Sequence, residues 1–192
     1  GCKKYRELKG FGITFPHLFF LGVFAMHSSL PFHTSSAAPG DFDFLIGDWR
    51  VAHRRLNSRL TGCAEWTVFE GVIAMRHTLG GFGNIEDHIL HFPDRTSRAF
   101  AMRTFNAATG LWTIWWVDGR QPDHLDPPMV GQFSGTTGHF YGNANLEGKA
   151  VRVRFIWHKN IGASPHWEQA FSADGGTTWE TNWIMDFLPL AS

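Results

Sequence analysis

An all-β fold of antiparallel hairpins, either a sandwich or a closed barrel, is predicted by three observations. Residues 167–187, WEQAFSADGGTTWETNWIMDF, form two runs of period-two patterning around Asp174-Gly175-Gly176, where glycine supplies the positive φ that tight hairpin turns need. Short alternating segments of the same kind recur at regular spacing along the chain from Trp49 onward, with turn residues between them. No long amphipathic helical pattern interrupts them, and no fixed-period repeat points to a propeller or solenoid.

The elements follow in order. Phe42-Asp43-Phe44-Leu45-Ile46 leads into Gly47-Asp48-Trp49 and a strand Trp49–Leu56. Two further strands, Ala64–Ile73 and Ala74–Leu79, precede the glycine-rich turn 80–84. Then come Ile85–Phe92, Ser97–Phe105, Leu111–Asp118, Val130–Phe133, His139–Leu146 and Ala150–His158. Pro93-Asp94, residues 106–110, Glu147-Gly148 and residues 162–165 supply the turns between them. The longest irregular piece, GRQPDHLDPPM at 119–129, reads as a pocket rim or lid, or as a rigid connector. In the terminal hairpin, the first run puts Trp167, Gln169 and Phe171 on one face. The second puts Trp179, Thr181, Trp183, Met185 and Phe187 on one face and Glu180, Asn182, Ile184 and Asp186 on the other. A lone hairpin is not stable in water. A larger sheet rich in tryptophan, such as a barrel with an internal pocket, meets that need.

The chain has 192 residues, enough for one β domain, taken as 41–188, behind an N-terminal extension at 1–40. Net charge is zero, so no global field favours nucleic acid, and nucleic-acid partners are not expected. Residues 1–40 hold four basic residues against one acidic, and the rest hold thirteen against sixteen. The extension runs from a basic start (Lys3 to Lys9) through the apolar stretch 11–26 to Ser35-Ser36-Ala37-Ala38. That is the order of a secretory signal peptide. On this reading the protein is exported, periplasmic or secreted; a mis-assigned translation start would leave it cytoplasmic. The apolar run is short and is broken by Pro16 and His17, so no stable membrane span is expected. The two cysteines, Cys2 and Cys63, show no metal spacing. Cys63 reads as an inert small core residue, with a Cys2–Cys63 bridge as the alternative.

Gly47-Asp48-Trp49 resembles the G-x-W opening of lipocalin-like barrels. With FDFLIGDWRVAHRRL (42–56), GCAEW (62–66), LGGFGNIEDH (79–88), LWTIWWVDGR (111–120), LDPPMVGQF (125–133) and WEQAFSADGGTTWETNW (167–183), the chain resembles an uncharacterised bacterial domain-of-unknown-function family of the calycin-like group. The resemblance covers about residues 41–187. It implies an antiparallel lipocalin-like β-barrel of about eight to ten strands around a central cavity, with Trp49 plugging the closed end. It implies no catalytic set.

Histidine is plentiful, at eleven residues. His88 and His91 form H-x-x-H, but on a strand that spacing puts the two rings on opposite faces, so no local metal site is expected. His53, His77, His139, His158 and His166 fall in different strands, and their spacing supports no zinc site. Cofactors are expected to be absent. The exception is haem, which some small lipocalin-like barrels bind through one histidine; His158 or His166 would be the proximal ligand. Trp115 lies on the opposite strand face from Trp112 and Trp116, so the strand is covered on both sides and a homodimer through an aromatic outer surface is expected. Asn84 either bonds within its own turn or projects into the barrel mouth. Asp118, Asp123, His124 and Asp126 cluster near the irregular loop, as an acid–base pair or as turn chemistry.

These observations favour a barrel binding a small apolar or aromatic molecule in its interior, lined by Glu65, Arg154, Trp157 and Trp183. Two alternatives stay open: an enzyme (isomerase, cyclase or hydrolase) using a pocket Glu or His, and a haem protein. Which strand face points inward decides whether the tryptophans or the charged residues form the pocket wall.

Overall fold

The computed structural model describes residues 37–161 and 164–190. The residues 1–36 that carry the signal-peptide reading lie outside it. Ten antiparallel strands close into a barrel: β1 Gly47–Leu56, β2 Trp66–Thr78, β3 Gly83–Phe92, β4 Arg95–Asn106, β5 Leu111–Asp118, β6 Met129–Ser134, β7 Thr137–Leu146, β8 Lys149–Ile161, β9 Ser164–Ser172 and β10 Glu180–Pro189. Each strand pairs with its neighbours in sequence, and β1 pairs with β10 to complete the ring, with Val51 opposite Phe187 and Arg55 opposite Trp183. Closure covers both outer strands of the sheet, with the shortest pairing between β5 and β6, where residues 112–114 meet 129–131.

The predicted strands at 64–73 and 74–79 are one strand. The inward alternation Phe69, Gly71, Ile73, Met75 is unbroken, all four being buried. Nothing at Ala74 ends the pairing: β2 meets β1 from Trp66 to Met75 and β3 from Glu70 to Thr78.

The aromatic faces point inward. In β8, Val151, Val153 and Trp157 are buried, while Arg152 is exposed on the opposite face. One end of the barrel is filled by the segment before β1. Phe42 and Leu45, both buried, cap and end a short 3-10 turn at Asp43–Leu45. The Phe42 ring meets Trp112 and Phe133 edge-on at 5.0 Å, with Phe140 and Trp157 at 5.9 Å. Trp49 packs against the same cluster, its ring 6.0 Å from that of Phe187. It is half-buried, and its Nε1 donates to the Leu45 carbonyl at 2.8 Å, tying the plug to the wall. Trp112 Nε1 holds the start of the same segment by donating to Asp41 Oδ2 at 3.0 Å.

The terminal hairpin departs from its predicted pattern at one residue. The β9–β10 register shifts between Thr181 and Trp183, so Asn182 is a bulge that turns inward. Asn182 is buried, and its Oδ1 accepts from Gln169 Nε2 at 2.8 Å. The extra residue puts Trp179 and Trp183 on opposite sides of the wall. Trp179 stands outside, beneath the Arg154 guanidinium (4.6 Å) and beside Tyr141, and Trp183 stands inside.

Candidate functional site

The barrel encloses a cavity of about 620 Å³, within the range of small-molecule sites. Trp116, Trp157, Trp167 and Trp183 line it, with Phe155, Phe171, Ile114, Leu90 and Met185 between them and Trp115 at its border. Trp183 organises this wall. Its ring meets Trp116 edge-on at 6.1 Å and Trp167 at 5.8 Å, and the Arg55 guanidinium lies 4.8 Å from its centroid.

Of the four residues expected from the sequence to line a pocket, Trp157 and Trp183 border the cavity. Glu65 does not: it is exposed in the loop before β2. Arg154 lies on the outer face over Trp179, the hydrophobic half of β8 having turned inward. Trp112 is buried inside and Trp115 lies on the opposite face of β5, half-buried.

The histidines named for haem do not border the cavity either. His158 and His166 alternate with the inward Trp157 and Trp167, and their rings lie 5.8 Å apart. His166 sits between Asp186 Oδ1 (2.6 Å) and Glu168 Oε1 (3.1 Å). Burial and the neighbouring His166 depress the pKa of His158 below the ordinary histidine value, and Glu168 opposes them. His88 is buried and His91 exposed, on opposite faces of β3. Among the described residues no group of three or more His, Cys, Asp or Glu is arranged to hold a metal ion. Cys63, half-buried in the loop after β1, carries no free thiol, and Cys2 lies outside the described residues.

The polar core of the site comes from a strand whose pattern is inverted. β3 turns Asn84, Glu86, His88 and Leu90 inward and leaves Ile85 exposed. Next to it, β4 offers the small residues Ser97, Ala99 and Ala101 and then Arg103, all buried. Glu86 forms a buried ion pair with Arg103 through Oε2 and Nη2. Its Oε1 lies 2.9 Å from His88 Nε2, a bent, ion-pair-like contact. Arg103 Nη1 donates to Asn84 Oδ1 at 3.1 Å, and the guanidinium lies near the Phe42 and Trp157 rings. Asn84 thus points into the barrel, toward the plugged end rather than the mouth. Burial alone would raise the Glu86 pKa, but Arg103 and His88 outweigh it and hold the carboxyl at about 2. An ionised carboxylate therefore persists inside the barrel, kept by its partners.

His53, behind Trp183, completes the arrangement. Its ring stacks on Phe69 at 4.6 Å and lies directly over Gly71. Burial first, then His88 and Arg55, push its pKa down to about 3, against a smaller opposing pull from Glu86.

At the mouth, the loop 119–128 meets the cavity through Gln121, His124, Asp126 and Pro127. Asp118 and Arg120 are ion-paired there. Burial would raise Asp118, but the hydrogen bonds and charge of Arg120 bring it below the usual carboxylate range. Asp126 is pushed up by burial and by Asp118, with His124 opposing.

The Asn84–Glu86–His88–Arg103 cluster was missed by sequence reasoning. The signal available was weak: in GNIEDHIL one half of the alternation carries Ile85, Asp87 and Ile89 and the other Asn84, Glu86, His88 and Leu90, so neither half is cleanly apolar. No protein-family model matches the chain, and no curated protein matches it. The closed ten-strand barrel is what stands of the family expectation.

Proposed function

We propose that the protein binds a small apolar or aromatic molecule inside its barrel. The observation that carries this reading is a cavity of about 620 Å³ bordered by five tryptophans, with an ion-paired carboxylate at its inner end. Indole faces give large apolar contact at low entropic cost and attract aromatic rings edge-on. The buried charges are already paired, so a neutral or weakly polar molecule can enter without facing an uncompensated ion. The mouth, edged by the Pro-rich loop 119–128, gives such a ligand a route in.

Titration of the purified protein with a fluorescent aromatic probe such as phenylnaphthylamine, read by quenching of tryptophan emission, tests this reading. Saturable binding is expected, weakened at least several-fold in Trp167→Ala. Linear, non-saturating quenching in the wild type would overturn it. Native mass spectrometry of protein from its own host would show the carried molecule directly.

A second reading, an enzyme on the same barrel, is favoured by one observation: His88 borders the cavity with a carboxylate at 2.9 Å from its Nε2. That pairing is the usual arrangement of a proton-transfer histidine.

A further inference from the structure

We propose that His88 is a general base, with Glu86 as its positioning carboxylate, acting on an aromatic carbon acid bound in the cavity. The proposal rests on the cavity being a ligand site.

Three features carry it. First, the two nitrogens of His88 have different surroundings. Nε2 lies 2.9 Å from Glu86 Oε1 in an ion-pair contact, and in the neutral form of the ring that carboxylate favours the proton on Nε2. Nδ1 is then the lone-pair nitrogen. Like Nε2 it is buried without a hydrogen bond, but among the described residues it also has no ion-pair contact, in a side chain 2 % exposed that lines the cavity. A buried acceptor left unmade is destabilising unless something fills it. Second, the ring is held in place. Trp116 packs edge-on against it at 4.8 Å and Glu86 fixes its other side, so the lone pair keeps one orientation. Third, two buried N–H groups beside the cavity also lack partners: Trp157 Nε1 and Arg103 Nε. A ligand oxygen that gains negative charge would be received by such donors.

The reaction follows from these parts. The ligand's C–H bond breaks and its proton moves to Nδ1. The imidazolium that forms is stabilised by the Glu86 carboxylate, which stays ionised. The electron pair left on carbon delocalises onto an electron-withdrawing oxygen of the ligand. Return of the proton to a different carbon gives an isomer, with no oxidant, reductant or metal needed. The charged and titratable groups facing His88 are Glu86 on its own strand, Arg103 on β4 and His53 on β1.

Nitrobenzisoxazole is a suitable probe, being a flat aromatic carbon acid. Loss of its ring C–H proton to a base breaks the N–O bond, forms a nitrile and releases a coloured cyanonitrophenolate. Wild-type protein is expected to turn it over above the buffer rate, with a pH inflection from the base. His88→Ala should lower the rate about a hundredfold or more, abolish that inflection, and recover part of the rate with added imidazole. Circular dichroism checks its fold, and His88→Gln serves in its place if the alanine variant does not fold. Binding of the unreactive nitrobenzotriazole is measured in parallel. Binding together with equal turnover in wild type and folded His88 variants overturns the inference and leaves the ligand-binding reading standing. A folded wild type that binds no nitrobenzotriazole overturns both.

Discussion

The indole Nε1 of Trp183 donates a hydrogen bond to Nδ1 of His53 at 3.2 Å. An indole nitrogen only donates, so His53 must accept through Nδ1 and carry its proton on Nε2. That bond fixes the plane of the tryptophan that meets Trp116 and Trp167 in the cavity wall. It also ties the wall to the neutral imidazole, because protonating Nδ1 removes its acceptor. The folded state therefore resists His53 ionisation.

The consequence is acid sensitivity with a defined window. His53 falls from 6.5 to about 3 on folding, so the unfolded chain binds the extra proton between those values. Stability is whole above pH 6.5 and is lost as the pH falls toward 3, with a slope of at most about 1.4 kcal/mol per pH unit from this one group. Glu86, lowered from 4.5 to about 2, adds a loss in the same direction below pH 4.5. Urea unfolding at a series of pH values should show a flatter profile between 6.5 and 4.5 for His53→Gln. An unchanged slope would place the acid sensitivity elsewhere.

Breaking the buried pair from one side should be severe. Arg103→Met leaves the Glu86 carboxylate buried at 1 % exposure without its cation, and a loss of about 3–5 kcal/mol is expected. The double variant Arg103→Met/Glu86→Gln should recover much of it, since no ion then remains. A urea midpoint for the double variant at or below that of the single one would contradict this.

Gly71 is fixed by the ring above it. A Cβ there would stand 2.7 Å from His53 Nε2 and 2.8 Å from the Ile89 carbonyl oxygen. Gly71→Ala should destabilise by about 1–3 kcal/mol through overpacking. A thermal midpoint equal to wild type would show that the ring moves aside freely.

Asp174 orders the loop between β9 and β10. Its Oδ1 accepts from the amides of Thr177 (3.0 Å) and Thr178 (2.9 Å), and its Oδ2 from the Thr178 hydroxyl (2.6 Å). These bonds hold its carboxyl below the ordinary aspartate range. Asp174→Ala should speed hydrogen exchange of the Thr177 and Thr178 amides while the barrel strands stay protected. Equal protection in the variant would mean that the glycines alone hold the loop.

Glu65 is exposed and Arg154 stands on the outer face. Glu65→Gln and Arg154→Ala should leave aromatic-probe affinity within about twofold of wild type, in the range of ordinary surface substitutions. A larger loss in either variant would mean that the probe binds outside the barrel.

Much of the fold was legible because alternation and turns are local. The strands from Ile85 to His158, and the division of β8 into an apolar and a charged face, follow from period-two patterning and glycine or proline turns; which face turns inward does not. What was not legible depends on register and on partners far away in sequence. The Asn182 bulge changes which side Trp179 occupies, and no pattern within the hairpin marks it. The continuity of β2 through Ala74 is settled by its pairing with β1 and β3. Glu86 and His88 look like surface residues until Arg103, from the next strand, faces them. Trp157 and Trp183 were named on an alternation that left the inward face open, and barrel closure with the Asn182 bulge turns both inward, whereas Glu65 was carried there by its neighbour Trp66, and both lie outside.

The β1–β10 pairing is the one strand pairing, among the described residues, that joins distant parts of the chain; every other links sequence neighbours. Nine strands can zip together as the chain emerges, yet β1 and β9 keep open edges until residues 180–189 arrive. The tenth strand therefore removes both edges at once. It also delivers Trp183 to the cavity wall, so sealing the sheet and completing the pocket are a single event, and a chain cut short before Glu180 would keep two sticky edges and an unfinished interior.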